Sequence, residues 1–375
     1  MTSESQERML AIVRPAVLDR VHEVCHRWEV RASVVGTVTT GGSLRILDRP
    51  DGDVLAEVPA ASLHEDAPLY DRPMQPAVSL PAPETEVLAP HGLGEELLAM
   101  LEDHAWAYRQ YDHQLFLNTV VGPGGDATVL RLKGPGVPTT GRGLALSVDG
   151  NARWCAVDPR QGTAMNVAEA TLNVACAGAR PLAVVNCLNF GNPEHPEVMW
   201  QLSEAIDGMA EACRVLSLPV VGGNVSLYNE SRGRDIDPTP VVGVVGLIDR
   251  LERRPPGVGL VDGGVIVLLG ARGDAGLAGS LWAHRHGGAD GRLPELNLQA
   301  HARLLALVRE LVVERMVVAI HDVADGGLVV ALAEMARAGG VGFSVDGIAA
   351  RELFTEAPSR VVVCVEPAVL EAVRA

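Results

Sequence analysis

Residues 359–367, "SRVVVCVEP", hold five consecutive apolar side chains, four of them valine, and end on a proline. A half-exposed strand would alternate, so this run predicts a strand buried on both faces, with a helix opening at Pro367. "QERMLAIVRP", at residues 6–15, has the same profile and predicts a second such strand. Its helix opens at Pro15 and carries Val17, Leu18, Val21, Val24, Cys25 and Trp28 at helical spacing. "RASVVGTV", "SLRILD" and "DVLAEVP" then predict three short strands, turning at Gly41-Gly42 and Asp51-Gly52. Proline-rich residues 65–95 read as a linker. Beyond it the pattern predicts a helix at about 94–104 and strands at roughly 115–122, 126–133 and 142–149. A helix at 162–177, a strand at 181–188, a long helix at 196–216 and strands at 218–222 and 240–248 follow. "LERRPPG" breaks the chain, and the last unit predicts a strand at 264–270, a helix at 297–315, a strand at 317–320 and a helix at 327–338.

The two proline-closed strands belong to a repeat. "ESQERMLAIVRPAVLDRV" (4–21) and "EAPSRVVVCVEPAVLEAV" (356–373) align without a gap and agree at eight of eighteen positions, charged and proline positions included. Ser3 and Gln6 have capping-box spacing that locally suggests a helix start, but the second copy identifies the segment as loop and strand. Residues 1–64 therefore read as the tail of an α+β domain whose first half this chain lacks. Residues 96–250 form a second domain, and residues 258–375 a third that is cut short inside the repeat unit.

Composition narrows the class. Glycine, alanine and valine are abundant and aromatics make up 3%, which suits an α+β enzyme built as an α/β sandwich. A formal charge of −16 with no cluster of basic residues argues against a nucleic-acid groove. Such a chain would have to bind phosphates through metal ions and backbone amides. The six cysteines form no C-x-x-C pair and sit mostly in apolar runs, as small buried hydrophobes of a reducing compartment rather than a zinc or disulfide framework. No basic leader and no apolar run long enough for a membrane span is present, so a soluble, cytoplasmic protein is expected.

Candidate chemistry lies where acids or amides meet glycine at strand ends. In "VVGPGGDATVLRL", Asp126 sits either in a plain hairpin or on exposed backbone amides where it could orient a phosphate-bound Mg²⁺. Glu169 and Asn173 are four apart on one helix, either two hard oxygen ligands on one face or a buried hydrogen-bonded pair. "VVNCLNFGNPEHPE" leaves a strand through Asn186, Asn189 and Asn192, and "PVVGGNVSLYNE" through Gly222, Gly223, Asn224 and Ser226. Both sit where ligand loops gather in α/β folds, although Asn and Gly are also ordinary turn residues. "AIHDVADGGLVVALAEMA" brings His321, Asp322 and Asp325 to a helix N-terminus, where an anion or metal could sit. Asp112 and His113 read as a structural pair more readily than a catalytic one.

Together, "SESQERM", "PAASLHEDAPLYDRP", "RQYDHQLFLNTVVGPGGDATVLRL", "AEATLNVACAGARPLAVVNCLNFGNPEHPEVMWQ", "VVGGNVSLYNE", "PTPVVGVVGLI" and "HDVADGGLVVALAEMA" resemble the synthetase subunit of phosphoribosylformylglycinamidine synthase in its small form. The resemblance is collinear over essentially the whole chain and falls on the second half of that subunit. Each half of the family's subunit pairs an ATP-binding domain with a partner domain, both shared with aminoimidazole ribonucleotide synthetase. The resemblance implies a ligase of purine biosynthesis that uses ATP and Mg²⁺ to convert formylglycinamide ribonucleotide to its amidine. Ammonia then comes from a glutaminase subunit, and a small third subunit bridges the two.

Carried over by position, the resemblance implies that Glu4, Ser5, Gln6 and Ser226 contact substrate, that Asn186 and Gly223 contact ATP, and that Asn224 binds Mg²⁺. Asp126, Glu169, Asn173 and Asp322 match metal ligands of the family's second nucleotide site. Asn186 stands where many members have Asp, and Thr355 and Pro358 where members commonly have Gly and Gln. The family's catalytic His residues and ATP-binding Lys belong to the first half, so no catalytic residue is expected within residues 1–375, nor turnover by this chain alone. Two other readings remain: another ATP-dependent enzyme of the superfamily, such as a selenophosphate or thiamine-phosphate kinase, and a nucleotide-binding remnant or scaffold without turnover.

Overall fold

The computed structural model describes residues 8–77, 92–136, 138–270, 276–287 and 291–374, and divides the chain into two units, Met1–Asp71 and Arg72–Ala375. In the first unit a 3-10 turn at Pro15–Val17 leads into helix α1 (Leu18–Arg27), as the proline signal predicts. Strands β1 (Ser43–Leu47) and β2 (Val54–Pro59) form an antiparallel hairpin. The expected strands at 6–15 and 31–38 are not borne out over their described residues, which have no ladder partner there. Met9, Leu10 and Ile12 are 80% or more exposed. An apolar run becomes a strand only where a neighbour satisfies its backbone N–H and C=O groups. Its twin in the second copy has a neighbour on each side.

In the second unit, helices α2 (Leu93–Met100) and α3 (Ala105–Tyr108) precede strands β3 (Thr119–Val121), β4 (Thr128–Arg131) and β5 (Gly143–Asp149). Helices α4 (Ala152–Val157) and α5 (Pro159–Cys176) lead to β6 (Arg180–Asn189), α6 (Pro196–Val215) and β7 (Val220–Ser226). A small hairpin, β8 (Glu230–Ser231) and β9 (Arg234–Asp235), then precedes β10 (Thr239–Ile248). These strands, apart from the hairpin, form one six-stranded sheet ordered β3-β4-β5-β10-β6-β7, antiparallel except for β6 with β7. Burial alternates along β10, so one face of the sheet is covered and the other open.

The covered face carries α5 and α6. Asp158 caps α5 by accepting the Gln161 N–H at 2.9 Å, and Pro159 fills its first position. Fifteen of the eighteen α5 residues are buried, because the helix is sandwiched. Val167, Ala170 and Val174 face the sheet, while Leu172, Ala175 and Cys176 face a second core. Where α6 crosses α5, a Cβ on Gly208 would collide with the Arg160 carbonyl, so the approach requires glycine.

The second unit continues with β11 (Val265–Gly270), α7 (Leu281–Arg285), α8 (Leu298–Val313), β12 (Ala319–Asp322), α9 (Gly327–Gly339), α10 (Ala350–Phe354), β13 (Arg360–Val365) and α11 (Leu370–Arg374), of which β11, α8, β12, β13 and α11 line that second core. Strand β13, the predicted "RVVVCV" run, lies centrally between β11 and β12 and is buried at every residue. Four of the six cysteines are buried, Cys25 and Cys187 are half-buried, and all are free thiols. No described helix is long and apolar enough to cross a membrane.

Candidate functional site

Two groups of residues stand out. In the first, β6 and β7 run parallel with Asn186 opposite Gly223, Cys187 opposite Asn224 and Asn189 opposite Ser226. Gly222 to Ser226 therefore lie within β7 and not in a loop beyond a strand at 218–222, because parallel pairing with β6 satisfies a backbone whose Asn and Gly read as turn residues. Paired residues share a face, so Asn186 and Gly223 point to the helix side and Asn224 to the open side. The Asn186 amide donates toward the Met209 sulfur at 3.4 Å, and any Cβ at Gly223 would strike the Asn186 side chain. Ser226 is held by Asn229, whose amide also ties the Phe190 carbonyl.

The second group is buried between the six-stranded sheet, α5 and β12. Asp126, in the β3–β4 loop, accepts from His321 Nδ1 at 2.6 Å, and Asp322 Oδ1 is 3.5 Å from the same nitrogen. The other ring nitrogen, Nε2, meets Glu334 Oε2 at 3.1 Å. Burial disfavours the charged ring, but the Asp126 charge and hydrogen bond, with Glu334 and Asp322, hold His321 protonated well above its usual range. Glu169 and Asn173 reach the pocket from α5. Burial, then the charges of Asp149 and Asp322, push the Glu169 carboxyl well up. Burial and Asp126 do the same to Asp322. Asn173 donates to Asp149 Oδ1 at 3.0 Å, while its own Oδ1 and Asp149 Oδ2 are buried without a donor.

On the outer side of the pocket, Arg153 Nη2 donates to Asp325 Oδ1 at 2.5 Å and lies 3.6 Å from Glu356 Oε2. Glu356 is 2% exposed and accepts from the Leu281 and Gly326 backbone N–H groups at 2.6 and 2.7 Å and from Trp154 Nε1 at 3.2 Å.

Asp126, Glu169, Asn173 and Asp322 thus converge from distant parts of the sequence. Several carboxylates meet only two cationic side chains, and two amide and carboxylate oxygens lack donors. Hard oxygen donors in that surplus suit a divalent cation such as Mg²⁺. Glu4, Ser5 and Gln6 lie outside the described residues. Asp112 accepts its own Gln114 N–H at 2.8 Å, a local turn that fits the structural reading. Asp149, Arg153, Glu334 and Glu356 escaped the sequence reading. For Asp149 the signal was present, since "VDG" repeats the acid-beside-glycine pattern at a strand end.

Comparison with known proteins places the chain in a family. Residues 124–248 match the AIR synthase related protein N-terminal domain, and residues 1–49 and 261–375 match its C-terminal domain. The chain belongs to the AIR synthase related family. It is 44% identical over 381 residues to the phosphoribosylformylglycinamidine synthase subunit PurL of Moorella thermoacetica, covering 98% of this chain and 51% of that protein. PurL of Thermomicrobium roseum is 46% identical over 384 residues, covering 97% and 51%. The chain therefore spans about half the length of the curated relatives it matches. The structure of T. maritima PurL complexed with ATP superposes with a TM-score of 0.64 at 25% identity, over 97% of this chain and 53% of that one. The expected α+β fold with aminoimidazole ribonucleotide synthetase-like domains is borne out.

Proposed function

We propose that this chain supplies the second half of the synthetase subunit of phosphoribosylformylglycinamidine synthase. In this reading it is part of a cytoplasmic ligase that converts formylglycinamide ribonucleotide to its amidine with ATP and glutamine-derived ammonia. The observation that carries the proposal is the collinear match to PurL, 44% identical over 98% of the chain.

Residues 1–64 serve as the tail of a first partner domain, 65–95 as a linker, 96–250 as the second ATP-binding domain and 258–375 as the second partner domain. The first half contributes the catalytic groups, the glutaminase subunit releases ammonia, and the small subunit bridges them. Glu4, Ser5, Gln6 and Ser226 contact the ribonucleotide, Asn186 and Gly223 contact ATP, and Asn224, on the other face of β7, binds Mg²⁺. Asp126, Glu169, Asn173 and Asp322 hold a second Mg²⁺ site. Mg²⁺ held by these amides and carboxylates would supply positive charge against the phosphates, and this chain's residues would orient it.

The open face of the six-stranded sheet supports pairing with another domain. Val148 and Val185, both opposite Gly243, are 74% and 46% exposed, and Leu146 is 38% exposed. Apolar side chains in a row on a sheet face mark a surface that another domain covers.

The test combines purified chain, ATP, formylglycinamide ribonucleotide and ammonia, with and without the N-terminal half of a PurL relative. ADP formation that depends on the ribonucleotide is expected only with both pieces. Turnover by the chain alone would refute the division of labour. A stable one-to-one complex without turnover would refute the assigned reaction.

A further inference from the structure

We propose that Asp149 is itself a ligand of the buried cation site, completing the set formed with Glu169 and Asn173. The inference rests on the reading of those two residues as ligands, and adds a position that the sequence pattern did not single out. Asp149 ends β5 and is paired with Val242, which on its other side pairs with Asn186. Val242 is fully buried, so the whole row faces α5 and α6, and the Asp149 carboxylate is directed under α5. Its Oδ1 receives the Asn173 amide at 3.0 Å.

The remaining oxygens decide the matter. Asp149 Oδ2 and Asn173 Oδ1 are both buried with no donor among the described residues, since the nearby Ser147 hydroxyl gives its proton to the Ala170 carbonyl at 2.7 Å. Asn173 is 6% exposed, so no bulk water serves it. A buried carboxylate or amide oxygen without a donor is costly. Asn173 cannot close it, because its only donor group already points to Asp149. A hard divalent cation lying between the two orphaned oxygens would satisfy both, with the Asn173–Asp149 hydrogen bond holding them in place. The crowding of Asp149 by Asp126, and of Glu169 by Asp149, has the same resolution.

The rival account makes Asp149 only a hydrogen-bond acceptor that positions Asn173. The two accounts differ in what D149N does to metal binding. As a ligand, Asp149 loses an anionic oxygen donor in D149N, which weakens metal binding. As an acceptor only, Asp149 is replaced in kind, because the D149N amide oxygen can take the Asn173 N–H, so metal binding is unchanged.

The experiment measures Mn²⁺ binding to the full chain by electron paramagnetic resonance, and thermal unfolding in EDTA and in MgCl₂, for wild type, D149N and E169Q. D149S, which vacates space instead of crowding it, guards against misfolding of D149N. We expect wild type to bind Mn²⁺ and melt higher in MgCl₂. D149N should lose about tenfold or more in Mn²⁺ affinity, as loss of a ligand carboxylate predicts. Wild-type affinity in D149N while E169Q loses binding would overturn the assignment of Asp149 alone. No Mn²⁺ binding by wild type would overturn the cation site itself.

Discussion

Glu356→Gln removes one proton-binding group from the heart of the second unit. Burial, then the charge of Asp325, push the Glu356 carboxyl from its ordinary 4.5 to about 7, against the pull of Arg153 and of the Leu281 and Gly326 N–H groups. Between pH 4.5 and 7 the folded protein therefore holds this proton while the unfolded chain has released it. Stability must fall as pH rises through that window. At 1.36 kcal/mol for each tenfold change in proton affinity, the loss amounts to about 3 kcal/mol by pH 7 and stays constant above it. Glutamine mimics the protonated acid. Its Oε1 can keep both backbone donors, which share that oxygen in Glu356, while its amide nitrogen cannot accept from Trp154 Nε1, so E356Q lacks that one hydrogen bond at every pH and the pH dependence alone is compared. The assay is urea unfolding of both proteins in EDTA from pH 4.5 to 8. Asp149, Glu169 and Asp322 impose a slope of the same sign on both, so the difference isolates Glu356. The wild-type curve should fall by about 3 kcal/mol relative to E356Q across pH 4.5–7. Parallel curves would refute the reasoning, and E356A, which strands three donors, should cost about 3–5 kcal/mol at every pH.

His301, fully buried between Thr171 and Ser359, is held by burial at about 4, so stability is complete above pH 6.5 and is lost as pH falls through 4. H301Q should flatten that acid-side loss, read from the acid unfolding midpoint. Gly208→Ala should cost about 1–3 kcal/mol in urea unfolding, because its Cβ meets the Arg160 carbonyl at the α5–α6 crossing. Val148→Asp should change stability by less than about 0.5 kcal/mol, since the side chain is 74% exposed, yet weaken association with an added first half in sedimentation or pull-down.

Continuous or amphipathic patterns were legible in advance: β13, β10, α5, α6, α8 and α9 fall close to their predicted spans. Boundaries shifted where tertiary pairing decided them. Strand β7 extends through Gly222, Gly223 and Asn224 because β6 lies alongside, and no local propensity reports a neighbour 37 residues away, as between Cys187 and Asn224. The short β8–β9 hairpin was missed because a two-residue strand carries no period to detect. In the site, Asp126, Glu169, Asn173 and Asp322 were visible as hard ligands beside glycine or on one helix face. Glu334 and Arg153 were not, since on their helices they look like ordinary solvated charges until His321 and Glu356 are placed against them.

The repeat shows why similarity between copies does not transfer a role. Glu356 and Arg360 reproduce the Glu-x-x-x-Arg signature of Glu4 and Arg8. In the second copy both side chains are buried and bonded within the fold, with Arg360 Nη1 lacking a partner among the described residues. Glu356 binds two backbone amides and an indole, and Arg360, fully buried, donates to the Thr355 and Ala357 carbonyls. A carboxylate already saturated by the fold has little left for a ligand. Arg8, by contrast, is exposed. The shared spacing is therefore not by itself a sign of a shared role. Whether such a segment packs inward or faces a substrate depends on what stands across from it: for Glu356, the start of α7 and the turn before α9.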